Sequence, residues 1–418
     1  MKRYAITPSD LLFFRDGRPM ETGEGSGGHG ARWPFPTIFF DAIHAALHRA
    51  FPESAGLQPW EHSHKARGSN GRVGALRFGS LRTVGPFPRT ADGNWLFPAP
   101  LDAKPGANGC VHALRLKTLP ASASNLPSPL TAIAVSDQAA TKDAPPPWWT
   151  AREISTFLET GRLPVAHRPA LWDTEWTTGI GTDSSRDTQD GSRIFSAAYL
   201  RLKPGVSLGC ASVLPISGAG DGLHELFPDT GHIICGGQQR ICSVKQEHTR
   251  LAETLPHSAF KEGTRVKWTL LSPAIFPKSP DHPGGWLPSW VDPVSGQVLL
   301  PREKPPRRGG ESRAKWRRSW CDNAPLDVKL VAACIGKPEV VTGWSDFLRG
   351  SDAKAGAGKT TRLAVPAGSS YYFEGPDAPL LSRLLSWDGA GTELPQTRSG
   401  ALGEKGLGLG VTGHWLPL

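Results

Sequence analysis

Thr37-Ile38-Phe39-Phe40-Asp41-Ala42-Ile43-His44-Ala45-Ala46-Leu47-His48-Arg49-Ala50 reads as one amphipathic helix. Phe40, Ile43, Leu47 and Ala50 recur along a single stripe at a period of about 3.6 residues, and Pro52 stops the run. Working outward, Lys2 to Ile6 and Leu11 to Phe14 have the short apolar patterning of strands. Between them and the helix lies the loop Gly23-Glu24-Gly25-Ser26-Gly27-Gly28-His29-Gly30-Ala31-Arg32. Strand, cationic glycine loop and amphipathic helix within the first third of the chain predict an α+β fold.

The two ends of the chain share a design. Leu11-Leu12-Phe13-Phe14-Arg15-Asp16-Gly17-Arg18-Pro19 and Gly403-Glu404-Lys405-Gly406-Leu407-Gly408-Leu409-Gly410 each join an apolar run to a glycine-bearing loop carrying Arg or Lys. Residues without a Cβ let backbone N–H groups approach a polyanion, and a cation in the loop adds a charge-assisted bond to phosphate. Alternating Gly and Leu equally suits a tight turn beside a packed strand. Both readings stand at this level.

Composition narrows the partners. The 418 residues are enough for two or three domains with cores of their own. Lys and Arg number 47 against 38 Asp and Glu, a net charge of +9 that favours an anionic partner such as nucleic acid. With 48 Gly and 39 Pro the chain is loop-rich yet still folded. The six cysteines, Cys110, Cys210, Cys235, Cys242, Cys321 and Cys334, form no C-x-x-C pair, so a zinc ribbon is not expected and free thiols in a reducing compartment are. No leader-like or membrane-spanning run is evident, and the expected location is the cytoplasm.

Farther along, Thr150-Ala151-Arg152-Glu153 is a capping box, with Trp149 and Ile154 at the staple positions and Gly161 as the stop of a second helix. Strands are expected over 175–180, 194–202, 206–214, 233–235, 240–244 and 265–271, with Lys203-Pro204-Gly205 as a turn, and again over 328–335, 361–365 and 369–373. Residues 302–318 concentrate Arg302, Lys304, Arg307, Arg308, Arg313, Lys315, Arg317 and Arg318, the pattern of a basic insertion that is either solvated or in contact with RNA or a partner.

Some motifs fail on context. Ala353 to Thr360 nearly spells a phosphate-binding loop, but Arg362 to Pro366 continues as a strand where a helix would have to begin, so Lys359 and Arg362 are left as nonspecific phosphate contacts. His44 and His48, four apart on the first helix, lack the Glu of a zincin and read as structural or solvent-edge residues. His29 is a candidate for acid–base chemistry or RNA contact. Of 15 tryptophans, Trp149 and Trp268 read as core, and Trp316 is placed to stack on a base.

Taken together the segments resemble a known family. Asp10 to Pro19, Trp33-Pro34-Phe35-Pro36, Glu175-Trp176-Thr177-Thr178-Gly179-Ile180 with Arg186 and Tyr199, and Gly236-Gly237-Gln238-Gln239-Arg240 come first. Ser272-Pro273-Ala274-Ile275-Phe276, Gly285-Trp286-Leu287-Pro288, Ile335-Gly336-Lys337-Pro338 with Gly343-Trp344, Val365 to Phe373 and the terminal glycine loop follow. This order is similar to that of the third subunit of the Cmr complex, the type III-B CRISPR effector, in the RAMP superfamily. The resemblance implies two ferredoxin-like (RRM-like) domains with long loop insertions, taken as residues 1–215 and 216–418. It also implies a non-catalytic subunit, without cofactor or metal, that binds the 5′ handle of CRISPR RNA and joins the large polymerase/cyclase-type subunit to the backbone RAMP filament.

The RNA-binding candidates are Arg15, Arg18, His29, Arg32, Arg240, Lys359, Arg362, Gly403, Lys405, Gly406, Gly408 and Gly410. A lone loop histidine is not a matched acid–base pair, yet related RAMP proteins cut RNA without metal. A repeat-processing endonuclease using His29 is therefore the alternative.

Overall fold

Strand β1 (Lys2–Pro8) is followed by helix α1 (Pro36–Ala50), strand β2 (Arg82–Arg89), helix α2 (Ala151–Thr160) and the long hairpin of β3 (Trp172–Ile180) with β4 (Ile194–Leu202). Next come β5 (Ser207–Val213), β6 (Thr230–Ile234), β7 (Ile241–Glu247) and β8 (Arg265–Leu270). The last part holds β9 (Lys329–Cys334), β10 (Glu339–Val341), β11 (Arg362–Ala364), β12 (Ser370–Glu374), α3 (Ala378–Leu385) and β13 (Gly410–His414), with shorter strands in the connections. This computed structural model describes the chain outside residues 16–26, 29, 52–77, 107–108, 121, 123, 138–142, 165–167, 181–193, 217–219, 222, 224–226, 303–324, 346–356, 359 and 390–393.

Two antiparallel sheets organise these elements, and they repeat one strand order. The first runs β6-β7-β1-β5-β2 and the second β9-β12-β8-β13. In each, the first strand in sequence (β1 or β8) lies between the last (β7 or β13) and the third (β5 or β12), and the second strand (β2 or β9) lies outside the third. Helix α1 makes the crossover from β1 to β2, burying Phe39, Phe40, Ala42, Ile43 and Leu47 against Tyr4, Ile6, Cys210 and Val244. In the second sheet α3 connects β12 to β13. The corresponding first crossover holds no helix among its described residues, and its Ala274, Phe276, Leu287, Val291 and Val298 fill the layer a helix would fill.

The connection between β2 and β5 does more than link neighbours. Its helix α2 begins at the Thr150–Glu153 capping box, ends at Gly161 and buries Ile154, Phe157 and Leu158. Those side chains share one apolar cluster with Val84 and Ala211 of the first sheet and with Leu409 and Val411 at the second. The same connection delivers Asp102, fully buried, to the second sheet. There its carboxylate accepts from Lys267 Nζ at 2.8 Å and from the Tyr372 hydroxyl at 2.9 Å, while the Lys267 ammonium lies 4.8 Å from the centre of the Phe157 ring.

Helices α1 and α2 and the main strands lie where the sequence patterning puts them, with the Lys203 carbonyl accepting the turn bond from Val206 N–H at 2.9 Å. Three differences have physical causes. Ala50 is exposed, because α1 has left the sheet by its last turn. Strand β2 escapes notice because Gly85, Pro86 and Pro88 interrupt its pattern, yet it is an edge strand, where a missing N–H does not break an interior ladder. The eight-residue α3 is too short for periodicity to declare itself. Residues 216–247, assigned from sequence to the second half, contribute β6 and β7 to the first sheet. No helix among the described residues is long and apolar enough to cross a membrane.

Replacing Lys267 by Met would strand the Asp102 carboxylate without a counter-ion, and the expected loss is about 3–5 kcal/mol of unfolding free energy. Adding Asp102→Asn to Lys267→Met should restore more than half of that loss. Urea unfolding followed by tryptophan fluorescence measures both, and a Lys267→Met protein as stable as the parent would refute the assignment.

Candidate nucleic-acid interface

The segment 11–15 runs beside β4. Leu12 and Leu200 exchange both backbone hydrogen bonds, at 2.9 and 2.8 Å, and strand alternation then divides the side chains between two faces. Leu12 and Phe14 join the α1 core, whereas Leu11 and Phe13 pack with Ala197 and Tyr199 on the opposite face. Phe13 and Tyr199 rings lie 5.2 Å apart. Arg15, exposed, ends this segment in a bridge with Gly30, and the Ala31 N–H donates to the Phe14 carbonyl at 2.6 Å.

Over the same platform folds the turn Gly236 to Arg240. Gly236 has φ +79°, and a Cβ there would sit 2.7 Å from the Phe13 carbonyl oxygen, so only glycine suits both its conformation and the contact. The Gln238 side-chain oxygen accepts from the Tyr199 hydroxyl at 2.8 Å and from Arg240 at 3.0 Å. Arg240 stands 5.3 Å over the Tyr199 ring and 3.8 Å from Asp10. Arg201 is held by Glu175 at 2.6 Å and by Asp10 at 3.6 Å. The platform is thus a buried aromatic cluster whose Tyr199 face is capped by Arg240, so it anchors the turn and fixes the position of that guanidinium.

Beside it opens a cleft of about 540 Å³ walled by both halves of the chain. The first half contributes Arg15, Arg32, the Trp33–Pro36 run and Pro86, and the second contributes Pro273 and Glu339–Thr342. Trp33 is oriented by its indole N–H, which donates to the Pro86 carbonyl at 2.8 Å, and it contacts Trp172 and Trp148 at ring separations of 5.0 and 5.7 Å. On the opposite lip, the β10–β11 hairpin pairs Val341 with Arg362 and exposes Val340 (42%) and Leu363 (51%). The fold therefore brings Arg15, Arg32 and the Arg362-bearing hairpin around one cleft, with Arg240 on the adjoining platform.

The C-terminal glycine loop is placed otherwise. Lys405 Nζ donates to Asp41 of α1 at 2.6 Å and lies 4.4 Å from the centre of the Phe40 ring. Gly406, at φ +87°, brings the loop so close that a Cβ would meet the Thr83 carbonyl oxygen at 2.8 Å. Gly408 and Gly410 pack against Ser399 and Trp268, Gly403 accepts from the Thr397 hydroxyl at 3.4 Å, and Leu407 and Leu409 are fully buried. The close-packed turn is what the structure displays here. A clasp between halves occupies the cation that could have met phosphate.

Other candidates resolve differently. Arg18, His29, Lys359, Trp316 and the basic run after Arg302 lie outside the described residues, and Arg302 itself pairs with Asp377. His44 and His48 meet edge to face at 4.6 Å and pack on Phe40 and Phe78. No group of three metal-ligating side chains occurs among the described residues. Phe13 and Trp33 fall within motifs quoted from the sequence but carry no side-chain role there, and Trp148 is absent from them. The alternation of Leu11 with Phe13 and of Ala197 with Tyr199 was the available signal for the platform.

The cleft thus combines the Trp33 and Trp148 rings with two arginines, Arg15 and Arg32, in its lining. Residues 4–415 match the family described as CRISPR-associated protein Cas_Cmr3, and the chain belongs to that family. It is accordingly a subunit of a type III-B CRISPR effector. Among solved structures it is similar to a chain of the type III-B Cmr-beta bound to cognate target RNA and AMPPnP, at 15% identity and a TM-score of 0.40, covering 88% of this chain and 86% of that one. A second, bound to cognate target RNA, has 14% identity and a TM-score of 0.42 with the same coverage. No curated protein matches the chain.

If Lys405 is a clasp, Lys405→Ala should lower stability by about 1 kcal/mol, through loss of a half-exposed ion pair and a cation–π contact. Its RNA affinity should stay within about twofold of the parent. Thermal unfolding and fluorescence anisotropy decide this, and the reverse pattern would make Lys405 a phosphate contact.

Proposed function

We propose that this subunit is an RNA-binding scaffold that holds the 5′ handle of the CRISPR RNA. It joins the large polymerase/cyclase-type subunit to the backbone RAMP subunit of the same cytoplasmic complex and adds no catalytic group of its own. The observation that carries the reading is the cleft between the halves, where Arg15 and Arg32 face the Arg362 hairpin across tryptophan and proline walls. Guanidinium groups neutralise phosphates and aromatic planes accept unstacked bases, the combination needed to hold a single-stranded tag. A net charge of +9 adds long-range attraction.

The shared strand order supports two ferredoxin-like units, and the strand pairings favour a division between Glu247 and Arg265 over one at residue 215. The long insertion of the first unit, carrying α2, then reaches the second. Arg18, His29 and Lys359 lie close in sequence to Arg15, Arg32 and Arg362 and are included among the proposed contacts.

Handle affinity should fall steeply with salt, and Arg32→Ala with Arg362→Ala should each shallow the log–log slope by about 0.7, as expected for one single-strand phosphate contact. Filter binding between low and moderate salt measures it, with circular dichroism as the control for folding. A slope unchanged in the double variant would remove the cleft from the RNA path. Specific cleavage of repeat RNA in EDTA, abolished by His29→Ala, would replace the scaffold with the endonuclease.

A further inference from the structure

Among the described residues, one edge of the first sheet carries no further strand. Among the described residues β6 is the outermost strand and pairs with β7 alone. Cys235 N–H donates to the Arg240 carbonyl and Gln246 N–H to the Asp229 carbonyl, which fixes Asp229, Gly231, Ile233 and Cys235 as the residues bonded toward β7. The N–H and C=O groups of Thr230, His232 and Ile234 therefore point away from the sheet. Among the described residues none of these groups has a partner.

Sheet edges are ordinarily blunted by proline, lysine, a bulge or a covering loop. Thr230-Gly231-His232-Ile233-Ile234 contains neither proline nor lysine, and its register against β7 is unbroken. On the α1 side the edge borders a groove of about 360 Å³ lined by Ala46, Arg49, Ala50, Phe227, Pro228 and Gly231. An added strand would place one side chain opposite Gly231, where the edge itself has none, and that side chain would enter this groove.

We propose that β6 accepts an extended segment of a neighbouring protein subunit by β-strand addition, with an apolar residue in the groove and acidic residues at its flanks. The charge follows from exposed Arg49, His232 and Lys245 beside the edge. The nearby carboxylates are already engaged, Asp229 by Lys2 and Glu247 by Arg3 and Arg89. A second copy of this chain would set the same cations against each other. RNA offers no alternating donors and acceptors to match a peptide edge.

Hydrogen exchange of the assembled effector complex against the isolated chain tests this independently of the RNA-binding reading. The amides of Thr230, His232 and Ile234 should exchange at least tenfold more slowly in the complex, and at the free-chain rate when only handle RNA is added. Equal exchange in complex and free chain overturns the proposal. Slowing by RNA alone would make the edge a nucleic-acid contact, and slowing that grows with the concentration of isolated chain would make it a self-association site. His232→Pro removes one outward N–H without touching a bond to β7, so recovery in the complex should fall at least tenfold while circular dichroism and RNA affinity are retained. Should that variant unfold, Ala50→Trp fills the groove from an exposed helix position, and its undiminished incorporation would equally sink the proposal.

Discussion

A lysine and an aspartate that neither half of the chain could bury alone hold the molecule together. Lys267 lies on the central strand of the second sheet and Asp102 on the long connection of the first, 165 residues earlier, and both are withdrawn from water. An isolated charge at either place would be costly, whereas the pair, completed by the Tyr372 hydroxyl, is tolerable. Burial and the neighbouring Asp102 carboxylate push the Tyr372 phenol well above its ordinary range, so it stays a proton donor to that carboxylate. The halves are thereby committed to one arrangement, and the cleft whose walls come from both inherits its shape from that commitment.

The glycine-rich terminal loop serves the same end. Lys405 reaches across to Asp41 and Phe40 on α1, while Leu407 and Leu409 pack beneath the loop. Helix α1 begins at the cleft, with Phe35, Thr37 and Ile38 among its lining residues. Fixing α1 to the second half therefore fixes one wall of the cleft against the other. Arg15 and Arg32 line that cleft, and Lys405 does not.

Local chemistry was legible in the sequence wherever it is local in the structure. The Thr150 capping box forms with both of its hydrogen bonds, and α1 appears from its apolar stripe, because these signals depend on neighbours within a turn or two. Strand β2 was not legible, since prolines disguise a strand that only its place at the sheet edge permits. The role of Lys405 was ambiguous for a different reason: a lysine between glycines is equally a phosphate ligand or a clasp until its partner, 364 residues away, is known. Likewise Arg15 stood out as a cation after an apolar run, but its place in a cleft walled by β10 depends on long-range packing that no spacing encodes.

The threading of α2 and Asp102 from one half into the other shapes how the molecule must assemble. Contacts such as Asp102 with Lys267, or Asp41 with Lys405, close very long loops, and the entropy of closing them must be met before their burial is rewarded. The insertion must remain partly unsheltered, with Phe157 and Leu158 lacking their final neighbours, until β8 and β13 arrive to cover it. Slow, high-contact-order folding is the expected kinetic consequence, and the two halves are poor candidates for separate expression.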